Sequence, residues 1–191
     1  MATIARRRFS VEDYHRMLQA GILSEDDRVE LIDGEIVEMA PIGPRHASQV
    51  DFLARLLWQR VGGRAIVRVQ NPIRLGEQSE PHPDLCLLRP RRDYYRRFHP
   101  TAVDVLLVIE VAEATAEYDR QVKVPLYGRH GVAELWLVDL EAQRVEVYRR
   151  PRAEGYEEVR SLGRGETVSP LSFPDLTLGV DELLEPQGEA A

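Results

Sequence analysis

A chain of 191 residues, 43% of them apolar and 30% charged, has the length of one domain and the material for a real core. Its formal net charge of −7 argues against a generic nucleic-acid coat, which would be basic, but leaves room for an enzyme that meets DNA along one local patch. The single cysteine, Cys86, excludes an intrachain disulfide, fits a reducing cytoplasm, and by its apolar neighbours reads as core.

Arg6, Arg7 and Arg8 are followed by no apolar stretch, so no signal peptide is expected. No uncharged run approaches the roughly 20 residues of a membrane span. Ser10 can cap a helix running to about Ala20, with Gly21 ending it. Val29–Ile32 and Glu35–Met39 flank Asp33-Gly34, a strong two-residue hairpin signal. Val50, Leu53, Leu56, Leu57 and Val61 recur at helical spacing and predict an amphipathic helix over 45–61, closed by Gly62-Gly63. Residues 64–70 alternate as a strand does, and 84–88 is a short apolar strand. The aliphatic run 103–111 has the character of a strand covered on both faces. Residues 117–129 read as a helix that Pro125 must start or kink. Strands at 134–140 and 144–148, a weak hairpin and an acidic tail from about 185 complete the chain. The order places helices around a mixed sheet, a three-layer α/β arrangement in a single domain over 1–185, with 186–191 as a flexible tail.

Three residues stand out chemically. Lys123 is the only lysine among 25 basic side chains, the rest being arginine. Lysine offers a compact, tunable ammonium where arginine is a broad fork that stays charged. Lys123 either pairs with Asp119 on a helix face or does something arginine cannot. Glu110 lies between apolar neighbours in the 103–111 run, and a lone buried carboxylate is costly unless a cation or several donors meet it. It is a metal ligand, or the partner of an arginine, or a strand end that reaches solvent. Asp84 follows His82-Pro83 and projects from a strand start, although Pro-Asp is also ordinary turn chemistry. Asp119, Lys123 and Tyr127 fall at i, i+4 and i+8, on one helix face if Pro125 permits. His46 opens the long helix as a polar residue or a substrate or metal group. His82 is similar, and His15, His99 and His130 show no ligand spacing. Arg89, Arg91, Arg92, Arg96 and Arg97, interleaved with Tyr94, Tyr95 and Phe98, are either a solvated loop or a nucleic-acid contact that holds phosphates and stacks on bases.

The ordered set is more specific than its parts. Glu30-Leu31-Ile32-Asp33-Gly34-Glu35-Ile36-Val37, then His46, Pro83-Asp84, Ile109-Glu110-Val111, Asp119…Lys123…Tyr127 and Gly131-Val132-x-Glu134-x-Trp136-Leu137-Val138-Asp139 resemble the Uma-two family over roughly residues 10–180. These are bacterial proteins classed as candidate restriction endonucleases within the PD-(D/E)xK superfamily. The resemblance implies an α/β (α+β) fold with a restriction-endonuclease-like core, a mixed β-sheet flanked by helices. It also implies a catalytic set of Asp84, Glu110 and Lys123, with Glu30 and His46 beside it and Asp84 and Glu110 as metal ligands.

Two departures are visible. The superfamily lysine stands two residues after the second acid, where this chain has Ala112. The family's Glu-Val-x-Ser-Pro-Ser-Thr is here Glu110-Val111-Ala112-Glu113-Ala114-Thr115. The expectation is a cytoplasmic, Mg²⁺- or Mn²⁺-dependent enzyme that cleaves DNA and acts as a homodimer. The alternatives are a non-catalytic DNA-binding or regulatory module and a structural oligomerisation protein.

Overall fold

The computed structural model describes residues 6–24 and 26–184; the expected tail at 186–191 lies outside the described residues. Ser10 and Asp13 cap each other, Ser10 Oγ accepting from the Asp13 N–H at 3.0 Å and Asp13 Oδ2 accepting from the Ser10 N–H at 3.1 Å. This starts α1 (Val11–Gln19), and Gly21, at φ +69°, ends it. Asp33 and Gly34 both take left-handed backbone, at φ 50° and 74°, as the turn between β1 (Val29–Ile32) and β2 (Glu35–Glu38) requires. Helix α2 (Pro44–Val61) begins with proline in its first turn and stops at Gly62, with Val50, Leu53, Leu57 and Val61 buried.

The main sheet has six strands in sequential order: β3 (Ile66–Val69), β4 (Leu85–Leu88), β5 (Val105–Ala112), β6 (Glu134–Asp139), β7 (Arg144–Arg152) and β8 (Gly155–Gly163). All its pairings are antiparallel except β5–β6, which the helical crossover at 116–129 joins in parallel. The β1–β2 hairpin stays outside it as a sheet of its own, linked through the bridge Leu31↔Glu80. A small pair, β9 (Thr167–Val168) and β10 (Leu178–Gly179), leads into the short helix α5 (Val180–Leu183).

The sheet separates two apolar layers. On one side Leu57, Phe173 and Leu183 pack on Leu85, Leu107 and Trp136. On the other, Ile32, Leu126 and Tyr127 pack on Cys86, Val108 and Leu137. Every residue of β5 is buried, as its aliphatic run predicts. The register shifts once between β4 and β5: Leu88 faces Val105 but Leu87 faces Leu107, so Leu106 is an extra residue in a bulge.

Three boundaries differ from expectation for physical reasons. Strand β5 starts at Val105 because Thr101 and Asp104 cap each other around a tight turn over Ala102–Asp104. The hairpin expected to be weak is instead a long one, β7–β8. It tolerates Pro151 because β6 pairs with β7 only as far as Arg149, so the missing N–H lies beyond that ladder. The segment read as one helix is three: α3 (Ala116–Tyr118), a wide π turn (Asp119–Lys123) and α4 (Val124–Arg129). The Val124 N–H reaches back five residues to the Asp119 carbonyl, and Pro125, lacking an N–H, cannot continue the ordinary ladder.

Helix α4 is seated by glycine. A Cβ on Gly128 would stand 2.1 Å from the carbonyl oxygen of Gly155, at the β7–β8 turn. Gly128→Ala must therefore push α4 off the hairpin. Overpacking of this kind costs about 1–3 kcal/mol, and each kcal/mol is worth about 2–4 °C in a chain of this size. The expected result is a Tm lower by several degrees in thermal unfolding. Gly63→Ala, whose Cβ would meet nothing within 4 Å, should leave Tm unchanged.

Candidate active site

The β4–β5 register, continued one step past Leu85↔Ile109, sets Asp84 opposite Glu110. Alternation along each strand puts both on the face of Cys86, Leu88, Val108 and Ala112. The carboxylates are joined through the backbone: the Asp84 N–H donates to Glu110 Oε2 at 3.3 Å, and the Val111 N–H donates to Asp84 Oδ2 at 2.9 Å. The π turn brings Lys123 over them. Its Nζ is 3.4 Å from Glu110 Oε1 and 3.6 Å from Glu30 Oε1, so the lysine serves the buried acids of the site. Asp119 instead accepts from the Thr115 hydroxyl at 2.9 Å.

Each remaining position has a clear local origin. Glu30 projects from β1 and accepts from the His82 N–H at 3.0 Å. His46, in the first turn of α2, places Nε2 3.1 Å from Asp84 Oδ2. Tyr127, from α4, donates its hydroxyl to Glu110 Oε1 at 2.7 Å. Glu30, His46, Asp84, Glu110 and Lys123 all line one cavity of about 1040 Å³.

The electrostatics are those of an acid-rich site. Burial pushes the Glu110 carboxyl up to about 8; Lys123 opposes this and Asp84 adds to it. Burial would also raise Asp84, but hydrogen bonds from His46 and Val111 and the charge of Lys123 hold it below the usual carboxylate range. His46 is raised, chiefly by its bond to Asp84. Burial disfavours the charge on Lys123, yet Glu110, Glu30, Asp119 and Asp84 outweigh it and lock the ammonium on. Burial also raises Asp119, against the pull of Lys123.

Asp84, Glu110, Glu30 and Asp119 thus crowd around one part-buried lysine, and four carboxyl groups about a single ammonium suit a divalent cation. The donors at Asp84 and Glu110 are all oxygen, which suits hard ions such as Mg²⁺ or Mn²⁺.

The five arginines of the 89–97 stretch do not line this cavity; they follow the far end of β4 from Asp84. Arg91 lies 4.9 Å over the Tyr95 ring and 2.8 Å from Asp93, while Arg89 donates to the Val103 carbonyl at 3.0 Å. Tyr94 and Phe98 are 72% and 74% exposed.

Sequence reasoning gave no role to Gln70, which donates to Asp84 Oδ1 at 3.2 Å, and none of the single-residue signals marks it. It also gave no joint role to Glu80, His82 and Asp84. These line the cavity while Pro81 and Pro83 do not. That alternation was readable in Glu80-Pro81-His82-Pro83-Asp84, since each proline biases its predecessor to extended geometry.

A family model, Uma2, described as "Putative restriction endonuclease", matches residues 11–181. The fold is similar to the crystal structure of "a putative nuclease belonging to DUF820" from Anabaena variabilis ATCC 29413. The TM-score is 0.72 at 18% identity, over 92% of this chain and 97% of that one. No curated protein matches the chain.

The raised Glu110 carboxyl has a measurable consequence. In metal-free buffer the folded state holds a proton that the unfolded chain releases near the ordinary value of 4.5. Stability therefore falls as pH rises from there toward about 8. Glu110→Gln removes this titration. The Tm difference between the two proteins should move in favour of the variant from pH ~5 to ~8. A constant difference would mean that the carboxyl titrates below that window.

Proposed function

The chain belongs to the Uma2 family, and we propose that it is a divalent-metal-dependent nuclease hydrolysing DNA phosphodiester bonds at the Asp84–Glu110–Lys123 cluster. One observation carries this reading. Two carboxylates from neighbouring strands and the sole lysine, from a separate helical turn, meet in a single cavity. The lysine does so although Ala112 occupies the usual superfamily position, because the π turn delivers Lys123 to Glu110 from the side.

Asp84 and Glu110 would hold Mg²⁺ or Mn²⁺. When bound, such an ion supplies Lewis-acid stabilisation of charge on the phosphoryl group and lowers the pKa of water. The rest falls to the chain. His46 fixes the Asp84 carboxylate, and the Tyr127 hydroxyl fixes that of Glu110. Glu30 and Glu110 hold the Lys123 ammonium at the cavity wall by ion pairs longer than tight hydrogen bonds. Its donors are then free to position the attacking water or to meet charge developing on the phosphate. Arg92, Arg96 and Arg97, with exposed Tyr94 and Phe98, would contact DNA beyond the cavity. Cleavage of both strands calls for paired sites, hence a homodimer. The buried thiol of Cys86 suits a reducing cytoplasm. Among the described residues no helix is long and apolar enough to cross a membrane.

The test is cleavage of plasmid and single-stranded DNA by the full chain with and without Mg²⁺ or Mn²⁺. Cutting should require the cation. Asp84→Asn should lower the rate about a hundredfold or more, and so should Lys123→Arg, since a guanidinium is too broad for the place between Glu30 and Glu110. Mg²⁺ should raise Tm in the wild type and much less in Asp84→Asn. Wild-type cleavage by Asp84→Asn would overturn the assignment. Salt-sensitive DNA binding with no cleavage would select the non-catalytic reading.

A further inference from the structure

A second cluster lines the same cavity and shares no residue with the Asp84–Glu110–Lys123 set. His15 comes from α1, Glu80 from the extended segment before β4, and His99 from the loop before β5. His15 Nε2 is 2.7 Å from Glu80 Oε1, and the His15 and His99 rings meet edge to face at 6.1 Å between centroids. One donor atom from each of the three lies within 4.8 Å of the others.

Glu80 is only 2% exposed, and its second oxygen, Oε2, is buried with no hydrogen-bond partner. A buried carboxylate oxygen left without a donor is costly, and a cation is one of the few things that removes the cost. The backbone holds Glu80 in place: its N–H donates to the Leu31 carbonyl at 2.7 Å, on the hairpin.

We propose that His15, Glu80 and His99 form a transition-metal site, of the kind that takes Zn²⁺. Two imidazole nitrogens and one carboxylate oxygen are a borderline donor set, unlike the all-oxygen pair at Asp84 and Glu110. Three protein ligands leave a fourth position of a tetrahedral ion open to the cavity. Ligand atoms around such an ion stand about 3.3 Å apart, given bonds of about 2.0–2.1 Å. The 2.7 Å contact would open slightly on binding, and the wider ones would close.

The site shares no ligand with Asp84 and Glu110, and its two histidine nitrogens set it apart from that all-oxygen pair. The proposal therefore stands apart from the nuclease reading.

The experiment uses metal-freed full-length protein. Zn²⁺ binding is followed by calorimetry, and Co²⁺ by the visible absorption that four-coordinate cobalt gives. His15→Ala and His99→Ala are suitable variants because both side chains are part-exposed, and thermal unfolding checks that they fold. Losing an outer-shell partner of a ligand already costs 10–100-fold in affinity, so losing a ligand should weaken Zn²⁺ by at least about a hundredfold. The strong cobalt absorption should vanish with it. Asp84→Asn with Glu110→Gln should leave both signals intact. Unchanged Zn²⁺ affinity in the two histidine variants would overturn the proposal. So would loss of Zn²⁺ binding in the Asp84/Glu110 variant, because the ion would then sit at the oxygen site.

Discussion

Glu110 sits in a strand whose eight residues are all buried between two apolar layers, and much of the molecule is arranged to keep it there. A carboxylate in such a place must find donors, a counter-charge or a proton. Here it has a backbone N–H from Asp84, a hydroxyl from Tyr127 and an ammonium from Lys123. The last two come from one short helical segment, so its position is fixed by the needs of the strand. Seating that segment requires bare glycine contact at the β7–β8 turn, and its widened turn lets Lys123 reach the acids. Breaking a buried pair of this sort by removing one partner is far more damaging than its net contribution suggests, because the other charge is left uncompensated.

A second set of charges, its acids buried, holds the frame. Arg120, next to the site in the π turn, donates to Glu146 at 3.0 Å and to Asp139 at 2.5 Å, which ties the turn to β6 and β7. On the opposite face Glu134, fully buried, accepts from Trp136 at 2.9 Å, from Arg149 at 2.7 Å and from the Leu171 N–H at 2.6 Å. Glu134, Trp136 and Asp139 belong to the motif that carries the family resemblance, yet none lines the cavity. Their part is structural: they fix β6 against the chain that crosses each face.

Much of this was legible because it follows from local chemistry. Ser10 with Asp13, Asp33-Gly34 and the spacing of Val50 to Val61 each determine their own element. The isolation of Glu110 among aliphatics and of Lys123 among arginines flagged the two residues that meet. What stayed hidden depends on distant partners. Nothing near Pro151 reveals that β6 ends short of it. His15 and His99 show no ligand spacing because their third partner, Glu80, is 65 residues from His15. The π turn was half visible: Pro125 announced a break, but its form depends on the sheet beneath.

The bulge at Leu106 shows how little separates this arrangement from an inert one. Had Leu106 been paired in turn, with the register running on unbroken from Leu88↔Val105, Asp84 would have faced Ile109, and Glu110 would have been one place out of step with it. One residue of slack in a strand of aliphatics brings the two carboxylates into phase. A ladder that took Leu106 into register would keep the composition, the charge and every side chain named at the site, and would lose their alignment. For chains of this kind, the point at which the ladder skips a residue is as much a part of the site as the acids themselves.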